Sequence, residues 1–327
     1  MNYDAIENRL SNLIGDNTVN FYKFESQDHM IFYCLDLMKQ YHKRLDEIRL
    51  LISDQDPSST IVISEYAGLG DTIHTRLALQ HLDKIDNSRL VWITPNLVAD
   101  LYKDDNLCLN FGNDVYNPFR HPIIRFCRFF SSYMSSILDF VFSDHTCIDV
   151  TNKILHSHNN FKKRRIGFAN HAFAALGVAK DEHMYHYINH EGCVDLNNTK
   201  PIVCIETTRH RFPVNVEKYT EIITMLSGLY DVIVVGGNQD NIKYKNVFMD
   251  CRGWSLYDTL SVMKKASLFI GRNSSNTTLM AFIDDIHMLI VDGPTVGLNY
   301  FKAFKENRIK PMSNVGDISK FAIRYLR

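Results

Sequence analysis

The stretch TIVISEYAGLGDTIHT at residues 60–75, followed by LVWITP at residues 90–95, decides the fold. Each stretch contains a short run of β-branched and apolar residues, which is typical of a buried strand. The residues between them place leucines at helical spacing, so the whole segment predicts a β-α-β unit. Gly68 and Gly70 predict a tight turn after the first strand, where the backbone can approach a ligand closely. In open α/β sheets, this edge is where ligands bind.

Asp71 follows the glycine-rich turn and is the first candidate for a chemical role. A carboxylate at this edge can act as a general base when the substrate places a proton within its reach. The alternative is that Asp71 only caps the helix that starts here, because Asp is a favourable N-cap residue. The turn alone does not decide between these two interpretations.

The composition indicates a globular protein without strong charge. The chain has 327 residues, enough for two domains, and 45% of them are hydrophobic. The formal net charge of −1 gives no overall basic field of the kind that attracts nucleic acid. The seven cysteines are scattered without a C-x-x-C pair, so we expect neither a zinc site nor a disulfide framework. His183, His186 and His190 lie close together but lack an H-E-x-x-H pattern, and we expect no metal site there.

Localisation is predicted from the distribution of apolar residues. No apolar run is long enough to cross a membrane, and no early segment resembles a signal peptide. We therefore expect a cytoplasmic protein. Residues 121–142 are rich in aromatic side chains with arginines between them. Such a helix usually faces a core, and the alternative is a peripheral contact with the inner face of a membrane.

The rest of the chain alternates predicted strands and helices. In the second half, strands are predicted at residues 201–205, 231–235, 267–271 and 288–291, with helices between them. This alternation predicts a parallel, doubly wound sheet. The residues before position 58 carry apolar stripes at helical spacing, which predict a helical extension ahead of the first strand.

The first motif resembles a known family. The order of apolar strand, small loop, G-L-G-D-x-I-H-T and Ala-Leu helix resembles the amino-terminal motif of the heptosyltransferase-like glycosyltransferases of family 9, which have the GT-B fold. The resemblance implies that Asp71 is the catalytic base facing the sugar acceptor. It places Gly68, Gly70 and His74 on the acceptor side.

A second resemblance concerns the loop after the strand at residues 201–205. Thr207 and Thr208 match the family's T-T loop, which precedes a basic residue and an aromatic-Pro pair, here Phe212-Pro213. The basic residue is either Arg209 or Arg211, since the spacing is shorter than in the family. Hydroxyls, N–H groups and guanidinium groups together would cradle a diphosphate. The alternative is an ordinary strand-to-helix loop with Thr caps.

A third stretch, residues 270–281, resembles the family's G-x-D-S-G-x-x-H-x-A-A motif, in which a helix start faces the donor diphosphate. Ser274 matches the motif, whereas Asn273, Ser275 and Thr278 replace its Asp, Gly and His. Asn and Thr can still donate hydrogen bonds to phosphate or sugar. An ADP-linked heptose is therefore less firmly implied than the reaction class. Two further glycines, Gly236 and Gly237, close a strand near the expected position of the donor base.

The resemblance covers about residues 60–310 and implies a GT-B fold, in which two Rossmann-like parallel-sheet domains face a cleft. We predict a helical extension at 1–57, an acceptor-side domain at 58–195, a nucleotide-sugar-binding domain at 196–311 and a carboxyl-terminal helix at 312–327 that packs back on the first domain.

The implied function is transfer of a sugar from a nucleotide-diphosphate sugar to a hydroxyl of a glycan or lipid-linked, lipopolysaccharide-type acceptor. Inversion at the anomeric carbon is carried over from the family. No metal and no cofactor is expected beyond the nucleotide sugar as co-substrate.

Two rival functions stay open from the sequence. One is a GT-B glucosyltransferase acting on hydroxymethylated bases in viral DNA, which the basic residues at 120–128 and 162–165 allow. Nucleic acid as a partner is disfavoured by the near-neutral total charge. The other is a non-catalytic nucleotide-sugar-binding protein, because of the three departures from the family motif.

Overall fold

The computed structural model describes residues 2–5, 7–8, 27–52, 60–63, 69–80, 90–94, 101–102, 108–110, 136–150, 176, 190–207, 215–237, 242–272, 274–281, 283, 286–291 and 306–325. Within these residues the chain forms two parallel sheets with helices packed against them.

A long helix, α1 (Gln27–Ile52), precedes the first sheet. Its buried apolar residues recur at helical intervals and include Ile31, Leu35, Met38, Leu45, Ile48 and Ile52. The buried apolar residues of the predicted helical extension that the structure describes here therefore lie on one continuous helix. The Arg49 guanidinium donates to the Val141 carbonyl at 2.6 Å and to the Asp144 carboxylate at 2.7 Å. These bonds attach α1 to the residues that lead into the fourth strand.

The first sheet has the strand order β3-β2-β1-β4. Its strands are β1 (Thr60–Ile63), β2 (Leu90–Thr94), β3 (Cys108–Asn110) and β4 (Thr146–Asp149). All of them pair in parallel. Helix α2 (Leu69–Gln80) lies between β1 and β2 in sequence, which confirms the β-α-β unit predicted from residues 60–95.

The second sheet has the strand order β10-β9-β8-β5-β6-β7, again all parallel. Its strands are β5 (Ile202–Glu206), β6 (Asp231–Val235), β7 (Met249–Asp250), β8 (Leu268–Gly271), β9 (His287–Ile290) and β10 (Ile309–Pro311). Strands β5, β6 and β8 are buried along their whole length. Burial on both faces explains why they read as continuous apolar runs rather than alternating ones.

The helices of the second unit are α3 (Val216–Ser227), α4 (Leu256–Met263), α5 (Ser275–Met280) and α6 (Val315–Tyr325). Polar side chains start three of them. Asn215 Oδ1 accepts from the backbone N–H of Lys218 at 3.0 Å, and Ser255 Oγ accepts from that of Asp258 at 3.0 Å. Ser274 caps α5 in the same way. Such caps satisfy N–H groups that have no partner within the helix.

The order of the strands shows where each sheet is expected to bind a ligand. Numbered along the chain, the second sheet reads 3-2-1-4-5-6 from β7 to β10, the order of dinucleotide-binding sheets. The direction of the order reverses between β5 and β8, and ligands bind outside the carboxyl ends of the strands at such a point. The first sheet reads 3-2-1-4 and has its own reversal between β1 and β4. The chain thus has two Rossmann-like units, as predicted, while the exact domain boundaries stay predictions.

The apolar core runs between the two sheets. One cluster contains Val62 and Trp92 of the first sheet together with Cys204 and Phe269 of the second. Helices α2 and α5 contribute to this cluster and contact each other. The helix that starts with the glycine-rich motif is therefore packed directly on a helix of the second unit.

The carboxyl-terminal helix α6 packs on α3 of the second unit. Its predicted packing on the first domain stays a prediction. Ile318 and Ala322 join the core of that unit, and the Tyr230 hydroxyl donates to the Ala322 carbonyl at 3.1 Å. The amphipathic pattern of α6 showed that one face would be buried, but it did not show against what.

Candidate functional site

The carboxyl ends of β5 and β8 meet at the reversal point of the second sheet. Glu206 ends β5 and Gly271 ends β8. The two strands are paired in register, with Ile205 beside Ile270. The residues that follow these strands, Thr207 and Ser274, are therefore brought to one edge although they are far apart in sequence. This edge is the position where the strand order predicts a ligand.

Thr207 is fully buried at this edge. Its backbone N–H donates to the Val235 carbonyl at 3.2 Å, which extends the pairing of β5 with β6. Its hydroxyl Oγ1 has no hydrogen-bond partner in the part of the chain that the structure describes. A buried polar group without a partner costs about 1–3 kcal/mol, so the site favours a group that can bond to this oxygen.

Ser274 connects β8 to α5. Its Oγ accepts from the Thr277 backbone N–H at 3.2 Å and donates to Glu206 Oε2 at 2.5 Å. The Thr278 hydroxyl donates back to the Ser274 carbonyl at 3.0 Å. Ser275, half-buried, begins the helix. The predicted donor residues Ser274, Ser275 and Thr278 therefore lie together, and Thr207 directly follows β5, the strand paired with β8.

Glu206 is a member of this site that the sequence did not single out. Only 2% of its surface is exposed, and its second oxygen, Oε1, accepts from Asn276 Nδ2 at 3.1 Å. One signal was available: a glutamate directly ends an apolar strand and directly precedes the T-T pair. Carboxylates are seldom buried this deeply unless they have partners.

Gly236 and Gly237 follow β6 at the same edge of the sheet. Gly236 has φ 133°, a backbone conformation that favours glycine. Its carbonyl accepts from the Gly253 backbone N–H at 2.9 Å, and Gly253 itself has φ 81°. The loops after β6 and β7 are thus joined through two glycines. Trp254 follows at once with 39% of its surface exposed.

The acceptor-side motif begins α2. Gly70 and Asp71 lie in the first turn of the helix, and His74 lies one turn further on. The side chains of Asp71 and His74, the whole of Gly68, and the donor candidates Thr208, Arg209, Arg211 and Asn273 lie outside the described residues. Their roles stay predictions. The backbone agrees with the motif in one respect: the first turn of α2 follows the carboxyl end of β1.

Metal and thiol chemistry find no support in the described residues. No group of three His, Cys, Asp or Glu side chains there could hold a metal ion. His190 is buried, with Nε2 2.8 Å from the Tyr257 carbonyl oxygen, while His183 and His186 are not described. Burial raises the pKa of the Cys204 thiol and raises that of Cys251 to about 12. Neither is a nucleophile near neutral pH, because the thiolate is the reactive form.

Solved structures share this fold. The sequence matches no protein-family model and no curated protein. E. coli heptosyltransferase WaaC with ADP is 11% identical, and the alignment covers 81% of this chain and 99% of WaaC with a TM-score of 0.53. E. coli ADP-heptose LPS heptosyltransferase II is 10% identical, and the alignment covers 78% of this chain and 90% of that protein with a TM-score of 0.52. The family 9 glycosyl transferase of Veillonella parvula is 11% identical, and the alignment covers 84% of this chain and 93% of that protein with a TM-score of 0.51.

These neighbours define the class of fold. The chain has the GT-B fold of the heptosyltransferase-like glycosyltransferases, which is the family that its motifs resemble. At these sequence identities the likeness establishes the fold, and the chemistry has to be argued from the site residues. None of the helices in the described ranges is long and apolar enough to span a membrane.

Proposed function

We propose that the protein is a glycosyltransferase that moves a sugar from a nucleotide-diphosphate sugar to an acceptor hydroxyl. The observation that carries the proposal is the buried hydroxyl of Thr207, which has no hydrogen-bond partner among the described residues. It lies at the reversal point of a doubly wound sheet, where ligands bind. A phosphate oxygen is a strong hydrogen-bond acceptor, so a bound diphosphate would supply the missing partner.

The donor diphosphate would be held from two sides. Thr207, Thr208 and one of Arg209 and Arg211 would contact it from the loop after β5. Ser274 and Ser275 would contact it from the segment after β8, with Asn273 and Thr278 closer to the sugar. The joined loops after β6 and β7, which include Gly236 and Gly237, would receive the nucleoside. This order follows dinucleotide-binding sheets, where phosphates lie at the first strand and the ribose at the second.

The acceptor would enter from the first unit. Asp71 would take the proton from the acceptor hydroxyl as its oxygen attacks the anomeric carbon. The bond from that carbon to the diphosphate oxygen breaks, and its electron pair leaves with the diphosphate. The hydroxyl and guanidinium groups around Thr207 would stabilise the charge that develops there. Attack opposite the departing group inverts the anomeric centre, and none of these steps calls on a metal.

The names of the fold neighbours guide the choice of substrates. WaaC has been solved with ADP and with ADP-2-deoxy-2-fluoro heptose, and another neighbour is an LPS heptosyltransferase. We therefore propose a glycan or lipopolysaccharide-type acceptor. Because Asn273, Ser275 and Thr278 depart from the family motif, we do not restrict the donor to an ADP-linked heptose.

The experiment is a thermal-unfolding panel of ADP, UDP, GDP and their sugar conjugates. A ligand at about 100 times its dissociation constant adds about 2.7 kcal/mol to the free energy of unfolding. At least one nucleoside diphosphate should raise the unfolding temperature, and the matching sugar conjugate should release nucleoside diphosphate when an acceptor is added. If no nucleotide stabilises the protein, the proposal fails; if binding occurs without turnover on any acceptor, the protein is a binding protein.

The arginine that holds the diphosphate can be found with the same ligands. Arg209→Ala and Arg211→Ala should each be measured by calorimetry, and the one that contacts the diphosphate should lose about 1.5–3 kcal/mol of binding free energy. Arg324→Ala, an exposed arginine on α6, serves as the control and should bind like the parent. Parent-like affinity in both site variants would place the cradle elsewhere.

A further inference from the structure

Glu206 has a place in the site that the proposed reaction does not explain. A buried carboxylate is unfavourable unless hydrogen bonds replace its lost hydration. Each of its oxygens holds a different side chain from the segment after β8. Ser274 Oγ donates to Oε2 at 2.5 Å, and Asn276 Nδ2 donates to Oε1 at 3.1 Å. Glu206 therefore connects the end of β5 to the start of α5.

The space around this carboxylate is closely fitted. A Cβ atom added at Gly271 would lie 3.1 Å from Glu206 Oε2 and 2.5 Å from Phe269 Cε1. Real Cβ atoms do not approach an aromatic carbon to that distance, so any side chain at position 271 would push the ring or the carboxylate aside. The absence of a side chain at the end of β8 lets Glu206 lie against that strand.

The segment that Glu206 holds is itself bonded together. Ser274 Oγ caps α5 through the Thr277 N–H, and the Thr277 hydroxyl bonds to the Arg272 carbonyl. A shift of Ser274 would therefore move both the helix start and the residues that lead into it. Thr207, whose hydroxyl has no partner within the described ranges, is the next residue after Glu206 at the end of β5.

We propose that Glu206 is a positioning residue of the donor site. Its carboxylate fixes the segment after β8 against the end of β5, so that Thr207 and Ser274 face one nucleoside diphosphate together. This inference rests on the proposed function, because it assumes that the ligand at this edge is a nucleoside diphosphate. Glu206 acts through Ser274 and Asn276 and need not touch the ligand.

Asp231 provides a matched control in the same sheet. It is also a buried carboxylate, 7% exposed, and it also accepts two hydrogen bonds, from the backbone N–H groups of Thr199 at 2.8 Å and Lys200 at 3.0 Å. It lies at the beginning of β6, at the opposite edge of the sheet from the site. Its removal should therefore lower stability without changing the affinity for nucleotide.

The test compares Glu206→Ala, Glu206→Gln and Asp231→Ala in calorimetry with ADP and UDP and in thermal unfolding. Glu206→Ala should weaken nucleotide binding by about tenfold or more. Glu206→Gln should stay within about threefold of the parent, because its carbonyl can accept from Asn276 and its amide can donate to Ser274 Oγ. Asp231→Ala should lower the unfolding temperature but keep affinity within about twofold.

Two results would overturn the positioning role while leaving the glycosyltransferase proposal intact. Parent-like affinity in Glu206→Ala would show that the carboxylate does not arrange the site. Equal losses in Glu206→Gln and Glu206→Ala would show that the charge itself is used, rather than the hydrogen bonds. A parent protein that binds no nucleoside diphosphate would instead overturn both proposals. If Glu206→Ala does not fold, Asn276→Ala removes one partner instead; it should bind at least about threefold more weakly, and unchanged affinity would overturn the inference.

Discussion

The two sheets begin with the same strand order, yet the ligand edges that they present are built from different interactions. After β1, the edge continues into α2, whose residues Ile73, Leu77, Ala78 and Leu79 are buried in an apolar cluster that also contains residues of α5. Between β5 and β8, the edge is fixed by side-chain hydrogen bonds from Glu206 to Ser274 and Asn276. Packing thus places the helix that carries the proposed base, whereas directed polar contacts shape the proposed donor side. We expect changes at the first edge to alter turnover and changes at the second to alter binding.

The largest expected effect is at the first edge. Asp71→Asn removes the proposed base while preserving the size of the side chain. Turnover should fall by about 10² or more, because general base catalysis contributes about 10²–10⁴. The dissociation constant for nucleoside diphosphate should stay nearly unchanged, since the proposed donor site lies at the other edge. Initial rates of sugar transfer and calorimetry with the same protein check both halves of the statement.

A control for this variant is Asp317→Asn, which changes an acidic residue in the first turn of α6, away from both edges. Its turnover should equal that of the parent. Near-normal turnover in Asp71→Asn would remove the residue from the role of base. A large loss of nucleotide affinity in that variant would instead contradict the inference that the first edge acts in turnover and the second in binding.

The next effect concerns the donor edge alone. Gly271→Ala would place a Cβ 2.5 Å from Phe269 Cε1 and 2.9 Å from its Cζ. Overpacking of this kind costs about 1–3 kcal/mol of the free energy of unfolding. Since Glu206 Oε2 is 3.1 Å from the same point, nucleotide affinity should fall as well. Urea unfolding and calorimetry measure the two effects separately.

Gly228→Ala is the matched substitution. Gly228 follows α3 in a right-handed conformation, and no atom lies within 4 Å of an added Cβ. The change should be neutral or stabilise by about 0.4–1 kcal/mol, because alanine restricts the unfolded chain. If Gly271→Ala were as harmless as Gly228→Ala, the close fit at the end of β8 would not be part of the site.

The glycine-rich unit could be predicted from the sequence because its signals are local. Apolar runs, a turn and a helical period within residues 60–95 are enough to specify β1, α2 and β2. Glu206 could not be assigned in this way. Its partner Ser274 is 68 residues away, and only the register of β5 with β8 brings the two together. A polar residue after an apolar run indicates the end of a strand, and nothing in its neighbours shows that it is buried.

The same limit applies to the packing partner of the terminal helix. The amphipathic spacing of α6 indicates that Ile318 and Ala322 face a core. The choice between the first unit and α3 depends on which surface is left uncovered in three dimensions. The Tyr230 hydroxyl that bonds to the Ala322 carbonyl lies 92 positions earlier in the chain, so no local pattern predicts the pair.

The smallest expected effect is at the outer strand of the second sheet, where Arg252 pairs with Asp250. Arg252 Nη2 donates to Asp250 Oδ2 at 2.6 Å and also to the Ile242 carbonyl at 2.6 Å. The side-chain hydrogen bond from Arg252 lowers the pKa of Asp250 below its ordinary value. Because Asp250 has a lower pKa in the folded state than its ordinary value of 3.8, the pair stabilises the protein fully at a pH above 3.8. This stabilisation is lost as the pH falls through the folded-state pKa.

Asp250→Asn should therefore lower the free energy of unfolding by no more than about 1 kcal/mol at pH 7, because the carboxylate is partly exposed and solvent screens the pair. The difference from the parent should shrink as the pH is lowered below 3.8. The control is Asp195→Asn, which changes an exposed aspartate ahead of β5 and should show a smaller difference from the parent at every pH. Urea unfolding between pH 3 and pH 7 measures this. Nucleotide affinity should stay close to that of the parent in Asp250→Asn, because the amide oxygen of Asn can still accept from the Arg252 backbone N–H, as Asp250 Oδ1 does at 3.1 Å, and so keep the loop after β7 in place. A loss of affinity there would mean that the charge of Asp250 helps to shape the loop after β7, and that the donor side depends on more polar contacts than those of Glu206, Ser274 and Asn276.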